Sequence, residues 1–274
     1  MKQQLIVILK GIWIGGTLTV PGVSGGSMAM ILGIYGRLIK SVNTFLLGKK
    51  DRKSAFSFLM SFSIGALIGI FVLSGVVVWA LEIFPTPVLF FFAGVVAGGL
   101  PLVFSEIKGS LLRWYHIFYL ILGVLIVVSF SYMPNNLFEL GFDHGFFGIV
   151  VQLIAGIIAA VALILPGISV SHMLYVLGIY QTVITAISSF EILKLVPFSF
   201  GVLGGVLLTS KMVEVLMERY KCGTYMLILG FVLGSVFELL NDVQIHSITI
   251  TCLLLFFAGF LGMFLIFNAK KADA

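Results

Sequence analysis

PGVSGGSMAMILGIYGRLI, residues 21–39, and PGISVSHMLYVLGIYQTVI, residues 166–184, align without a gap at a constant offset of 145. Identical pairs include Pro21/Pro166, Gly22/Gly167, Ser24/Ser169, Met28/Met173, Leu32/Leu177, Gly33/Gly178, Ile34/Ile179 and Tyr35/Tyr180. Shared apolar character does not produce matched Pro, Gly, Ser and Tyr, so the chain carries an internal repeat. Further on the offset becomes 136, pairing Gly65 with Gly201, Gly69 with Gly205, Gly94 with Gly230 and Gly98 with Gly234.

The solvent for this repeat is lipid. Of 274 residues, 60% are hydrophobic and 10% charged, and the mean hydropathy is +1.20, far above a soluble domain. Apolar runs approach the 20 residues or so that a spanning helix needs, without the alternation of a membrane barrel. The expected class is an all-α polytopic membrane protein. The first apolar run, from Leu5, leads straight into the repeated segment, so no cleavable signal is expected. Cys222 and Cys252 have no metal-type spacing and read as packing residues, and no cofactor or metal is expected.

Each half reads as the motif segment followed by two long helices, near 55–82 and 88–106, then near 195–217 and 224–240. Two further helices lie near 116–133 and 248–267. This divides the single transmembrane domain into a first repeat (1–107), a connecting helix and external loop (108–144), a second repeat (145–241), and a C-terminal helix and tail (242–274). The net charge of +5 sits in short loops, where it sets orientation and gives no reason to expect nucleic acid. With Lys49, Lys50, Arg52 and Lys53 in the cytoplasm, alternation also places there Lys108 with Arg113, Arg219 with Lys221, and Lys270 with Lys271. Residues 135–144 fall outside. The second half then starts from the external side, so the repeats have inverted topology, which in many transporters puts a site at the repeat interface near midplane.

Loop charge does not tell whether each motif segment spans twice or forms a re-entrant hairpin. Depth does. Lys10 lies 11 residues before Pro21 and Arg37 lies 11 after Gly26, about 16 Å of helix against a half-core of about 15 Å. A hairpin tip near midplane leaves both cations at the interface, whereas two full spans would bury both. Irregular backbone at such depth has to face protein or a wet cavity.

Pro21 and Pro166 with Gly22 and Gly167 end one helix before another begins. Ser24, Ser27, Ser169 and Ser171 are N-cap types, and the amides beyond them favour an anion. Gly25 and Gly26 clear room for a ligand to approach those amides; the same small residues also suit close packing of two hairpins. Arg37 reads either as an anion partner or as an interfacial positive-inside arginine. His172, at the position of Ser27, suits a proton-coupled step or plain packing. Lys211 and Glu214, one turn apart, are candidates for a coupled pair. Glu82, Glu106, Glu191 and Lys194 read as helix-end residues. Tyr35 and Tyr180, polar and repeat-matched, either contact the ligand or brace the turn.

Gly11-Ile12-Trp13-Ile14-Gly15 leading into PGVSGGS and LGIYGRLI, with PGIS and LGIY repeated later, closely resembles the bacterial and archaeal membrane family called domain of unknown function 368. The resemblance covers nearly the whole chain, including FFAGVVAGGLP and LGFVLGS. It implies a polyprenyl-phosphate transporter that returns undecaprenyl phosphate from the outer to the inner leaflet of the bacterial cytoplasmic membrane. Membrane lipids are the other expected partners, with coupling either to protons or to the membrane potential; no oligomeric state is implied. The implied site is Pro21, Gly22, Ser24, Gly25, Gly26 and Ser27 in one turn, with Pro166, Gly167, Ser169 and Ser171 in the other. Val170 departs from the family's usual PGISGS.

The rival reading is an enzyme, because undecaprenyl-pyrophosphate phosphatases also use inverted repeats and carry P-G-x-S-R-S. This chain has Gly25 and Val170 where that arginine stands, and residues 1–50 contain no Asp or Glu, so neither the charge-neutralising cation nor the paired carboxylates are in place. A small-anion transporter would use the same turns.

Overall fold

The computed structural model describes residues 2–20, 22–48, 50–107, 112–133, 145–189, 191–241 and 243–272. Pro21, Lys49, Lys108 and the external loop expected at 135–144 lie outside the described residues, as do the side chains of Lys270 and Lys271. Among the described residues the structure is helical throughout, with twelve α-helices. They are α1 (Lys2–Thr17), α2 (Gly25–Ile31), α3 (Tyr35–Leu47), α4 (Arg52–Ile83), α5 (Pro85–Ser105), α6 (His116–Ser131), α7 (Gly145–Ile164), α8 (Val170–Val176), α9 (Tyr180–Ser188), α10 (Val196–Arg219), α11 (Lys221–Leu240) and α12 (Ile250–Ala272).

Five of these, α4, α5, α7, α10 and α11, are long and apolar enough to cross a membrane. The burial pattern is that of a multi-pass membrane protein. Large apolar side chains such as Phe71 (80% exposed) and Leu208 face outward, while Ser24, Ser27, Asn43, Thr209, Ser210 and Ser235 are buried. In water that arrangement would be unfavourable throughout; against lipid the outward apolar faces cost nothing, and polar groups gain from inward partners.

Glycine decides which helices meet. α1 packs along α4 and α7 along α10, while α5 packs on α12 and α11 on α6. The repeat-matched glycines sit at these crossings. A Cβ on Gly65 or Gly69 would strike the carbonyls of Ile8 or Ile12 in α1, and one on Gly201 would strike Leu153 O in α7. Gly94 and Gly98 lie against Phe256 and Phe260 of α12, and Gly230 lies against Leu120 of α6. Backbones approach that closely only where there is no side chain, the usual currency of helix association in lipid.

One straight helix from Gly26 to Arg37, the basis of the depth of about 16 Å, is broken in the structure. α2 ends at Leu32, Gly33 takes φ 66°, and α3 leaves at 115° to α2. The Gly33 amide donates to Met30 O and the Ile34 amide to Ala29 O, both at 2.9 Å, the pairing of a Schellman stop whose left-handed residue is glycine. α8 ends the same way. Gly178 has φ 75°, its amide donates to Tyr175 O, and that of Ile179 donates to Leu174 O. The LGIY motif is thus a helix stop followed by a helix start, which accounts for the matched Gly, Ile and Tyr. Lys10 Nζ donates to Leu32 O at 2.6 Å, a cation on the C-terminal end of α2.

Candidate functional site

Each turn caps its short helix with the expected serine. Ser24 Oγ accepts from the Ser27 amide at 3.0 Å and donates to Ser27 Oγ at 3.1 Å; Ser169 accepts from the His172 amide at 3.5 Å. Gly22 and Gly167 both hold positive φ, 77° and 85°, the left-handed conformation that glycine adopts without penalty. Both also lie against α11. A Cβ on Gly22 would meet Leu239 Cα at 3.1 Å, and one on Gly167 would strike Phe231 O.

The two turns touch. The Gly167 amide donates to Ser24 Oγ at 2.9 Å, and a Cβ on Gly26 would lie 3.0 Å from Pro166 Cα. Tyr35, at the head of α3, donates from its hydroxyl to Ile164 O at 2.8 Å. Residues separated by more than a hundred positions are thereby joined at one buried point. Beside it opens a cavity of about 450 Å³. Its polar end carries Ser24, Gly25 and Gly26 of one turn with Ser169 and Ser171 of the other; its walls are apolar, among them Leu18, Phe62 and Ile164. None of the described residues that line it is charged. Small polar groups at one end and an apolar wall along the rest suit a lipid with a compact head group.

Other expected site residues lie elsewhere. Pro166 and Gly167 form the contact between turns, Ser27 bonds to Ser24 within its own turn and Gly22 packs on Leu239, and none of the four lines the cavity. Tyr180 stacks on Tyr175 with centroids 4.0 Å apart. Arg37 is exposed, with its guanidinium carbon 4.4 Å from the Phe58 ring centroid, beside a polar cleft formed by Gln3, Gln4, Ser54, Ser57 and Ser61 rather than beside the turns. Lys211 and Glu214 do pair, at 3.0 Å. Glu214 also accepts from Asn43 of α3 at 3.0 Å, and Ser210 donates to the Asn43 carbonyl oxygen at 2.8 Å, so this cluster clamps α3 to α10.

His172 meets a partner that sequence reasoning missed: its Nδ1 contacts Glu238 Oε1 of α11. Around the pair stand Val127, Phe130, Ile168, Ser169, Met173 and Val176, none of them ionisable. Glu238 is 66 residues from His172 and follows an apolar run, so only its acidity inside a spanning helix could have signalled it.

Over 277 aligned residues the chain is 35% identical to a polyprenyl-phosphate transporter of Staphylococcus aureus, covering 95% of each chain. It is 31% identical over 244 residues to a polyprenyl-phosphate transporter of Vibrio cholerae, covering 85% of this chain and 76% of the relative. No solved structure matches. Residues 14–253 match the family described as VCA0040-like, undecaprenyl phosphate translocase-like, and on these three matches the chain belongs to that family.

Proposed function

We propose that this protein carries polyprenyl phosphate, with undecaprenyl phosphate as the natural lipid, from the outer to the inner leaflet of a bacterial cytoplasmic membrane, so that the carrier is reused in cell-wall synthesis. The observation that carries the reading is the meeting of the two Pro-Gly-x-Ser turns, through Gly167 and Ser24, at the polar end of an apolar-walled cavity. The phosphate binds between the turns, at Ser24, Gly25, Gly26, Ser169 and Ser171, and the prenyl chain follows the apolar wall. A small free anion would have no use for that wall. The related proteins are named transporters, and among the described residues that line the cavity there is no carboxylate of the kind that phosphate cleavage would use to activate water.

The halves have inverted topology, and each motif segment is a re-entrant hairpin. Supporting this, α2 returns only as far as Leu32 before turning through 115°, and Lys10 of the entering arm meets Leu32 there, so both arms of the hairpin lie at one level. α6 and α12, which pack on α11 and α5 respectively, are counterparts and complete six-helix halves. The basic loops and the C-terminal tail face the cytoplasm. His172 with Glu238 carries the coupling proton, because a proton shared or released there changes the charge next to Ser169.

Proteoliposomes loaded with a short-chain polyprenyl phosphate provide the test, with leaflet exchange and free phosphate followed together, with and without a pH gradient. Exchange without phosphate release is the expected result. Phosphate release without exchange would overturn it in favour of an enzyme.

A further inference from the structure

Two loops that the sequence marks only by their positive charge come together in space. Arg113 precedes α6, Arg219 ends α10 and Lys221 opens α11, yet all three line one cavity of about 840 Å³. Among the described ion pairs none includes any of them. Three cations converging on one cavity repel one another unless an anion joins them.

The walls narrow what that anion is. His116 is 8% exposed and lines the cavity. Its Nδ1 lies 2.9 Å from the Arg113 amide nitrogen and 3.2 Å from the Arg113 carbonyl oxygen, so the loop backbone engages that nitrogen and Nε2 is the one without a bond to any described residue. Tyr119 and Tyr220 add hydroxyls, while Leu216 and Leu227 add apolar surface. Arg219 complements the C-terminal end of α10, but Lys221 sits at the positive end of α11, where a cation is unfavourable until an anion arrives. Trp114, 87% exposed, and Tyr115 stand beside the cavity, the aromatic signature of head-group depth. A phosphomonoester carries about −1.5 to −2 charge near neutral pH and three acceptor oxygens, so it matches three cations and several neutral donors better than the single charge of a phosphodiester does.

We infer that this cavity is a second lipid-phosphate site, on the basic side of the membrane, which docks the phosphomonoester end of the transported lipid apart from the turn cavity. The inference rests on the transport reading above, and it gives the lipid a landing place at the leaflet surface. Arg113 and Arg219 grip phosphate oxygens as forks, Lys221 and His116 supply further donors, and the leucines receive the first prenyl units.

The test uses the full chain in nanodiscs with a photoactivatable farnesyl phosphate, mapping labelled peptides by mass spectrometry. Label is expected in the peptides carrying Arg113–Tyr119 and Leu216–Leu227. Farnesyl phosphate should displace it at concentrations at least tenfold below those needed for farnesol, phosphatidylglycerol or inorganic phosphate. Combined R113Q, R219Q and K221Q substitutions should reduce the label at least tenfold while label at the turn cavity persists. Equal competition by phosphatidylglycerol would make this a general anionic-lipid site and overturn the inference, as would competition by inorganic phosphate alone. Wild-type protein that exchanges lipid but takes no label here refutes the second site and leaves the transport reading intact. Protein that neither exchanges lipid nor takes label at either cavity refutes both. The competition series uses wild-type protein, so the outcome does not depend on the triple variant folding.

Discussion

Ser24 Oγ holds two amides at once, Ser27 of its own helix and Gly167 of the opposite turn. A phosphate entering between the turns has to take over the second of these, and Ser24 is the group that exchanges one partner for the other. S24A is expected to lower lipid exchange by at least about tenfold, the scale of a lost hydrogen bond to a charged group. It should also destabilise the protein by about 1–3 kcal/mol by orphaning a buried amide, read as an earlier unfolding midpoint in detergent. Gly26 tests the same contact sterically. G26A places a methyl 3.0 Å from Pro166 Cα, backbone that has little room to yield. The turns should be wedged apart at about 1–3 kcal/mol and exchange abolished; normal exchange in G26A would mean that the turns do not meet in the working cycle. Ser24 was legible because the repeat printed it twice, as Ser169, and Gly26 because it follows in the same glycine-rich turn, although its counterpart is Ser171. Arg37 was legible only as a cation near a turn, and a side chain over Phe58 is where a guanidinium finds both an aromatic face and water.

At the scale of elements, the sequence pattern announced a turn followed by a helix, but the helix stops after two turns. The reason lies in LGIY, where glycine accepts a left-handed conformation that any other residue resists by roughly 1–2 kcal/mol. G33A should cost about that much, straighten the α2–α3 junction and draw Leu32 O away from Lys10. Accelerated amide exchange at Ile34 would report the loss of its bond to Ala29. Continuous apolar periodicity conceals such a stop because Leu and Ile fit a helix as readily as its end. The His172–Glu238 contact was half legible. His172 declared itself as the polar intruder at a matched position, while Glu238 needed the third dimension, since α8 and α11 meet only after folding. H172Q and E238Q are each expected to remove the response of exchange to a pH gradient while leaving exchange without a gradient within about threefold of wild type. A gradient response retained in both would take the pair out of coupling.

The whole molecule carries a prediction about sidedness. Single cysteines placed at 50 and 271 should react with an impermeant maleimide from the cytoplasmic face, and one at 139 only from the opposite face. Reaction of all three from one face would rule out inverted halves. Loop charge in the sequence predicts an orientation but not the partnership of the helices, because glycines at matched positions reveal that a close crossing exists without saying with whom. α5 crosses α12 and α11 crosses α6, so each half lends its last helix to the other. This has a consequence for synthesis at the ribosome. Gly94 and Gly98 of α5 enter the bilayer while Phe256 and Phe260, which cover them, are still untranslated, well over half a chain length away. At ordinary elongation rates that is roughly ten to thirty seconds. During that interval the nascent protein presents a bare glycine seam that any passing helix could occupy. That seam stays uncovered until the last helix arrives, and a stop codon before 250 should yield a product that enters the membrane but is removed by its proteases.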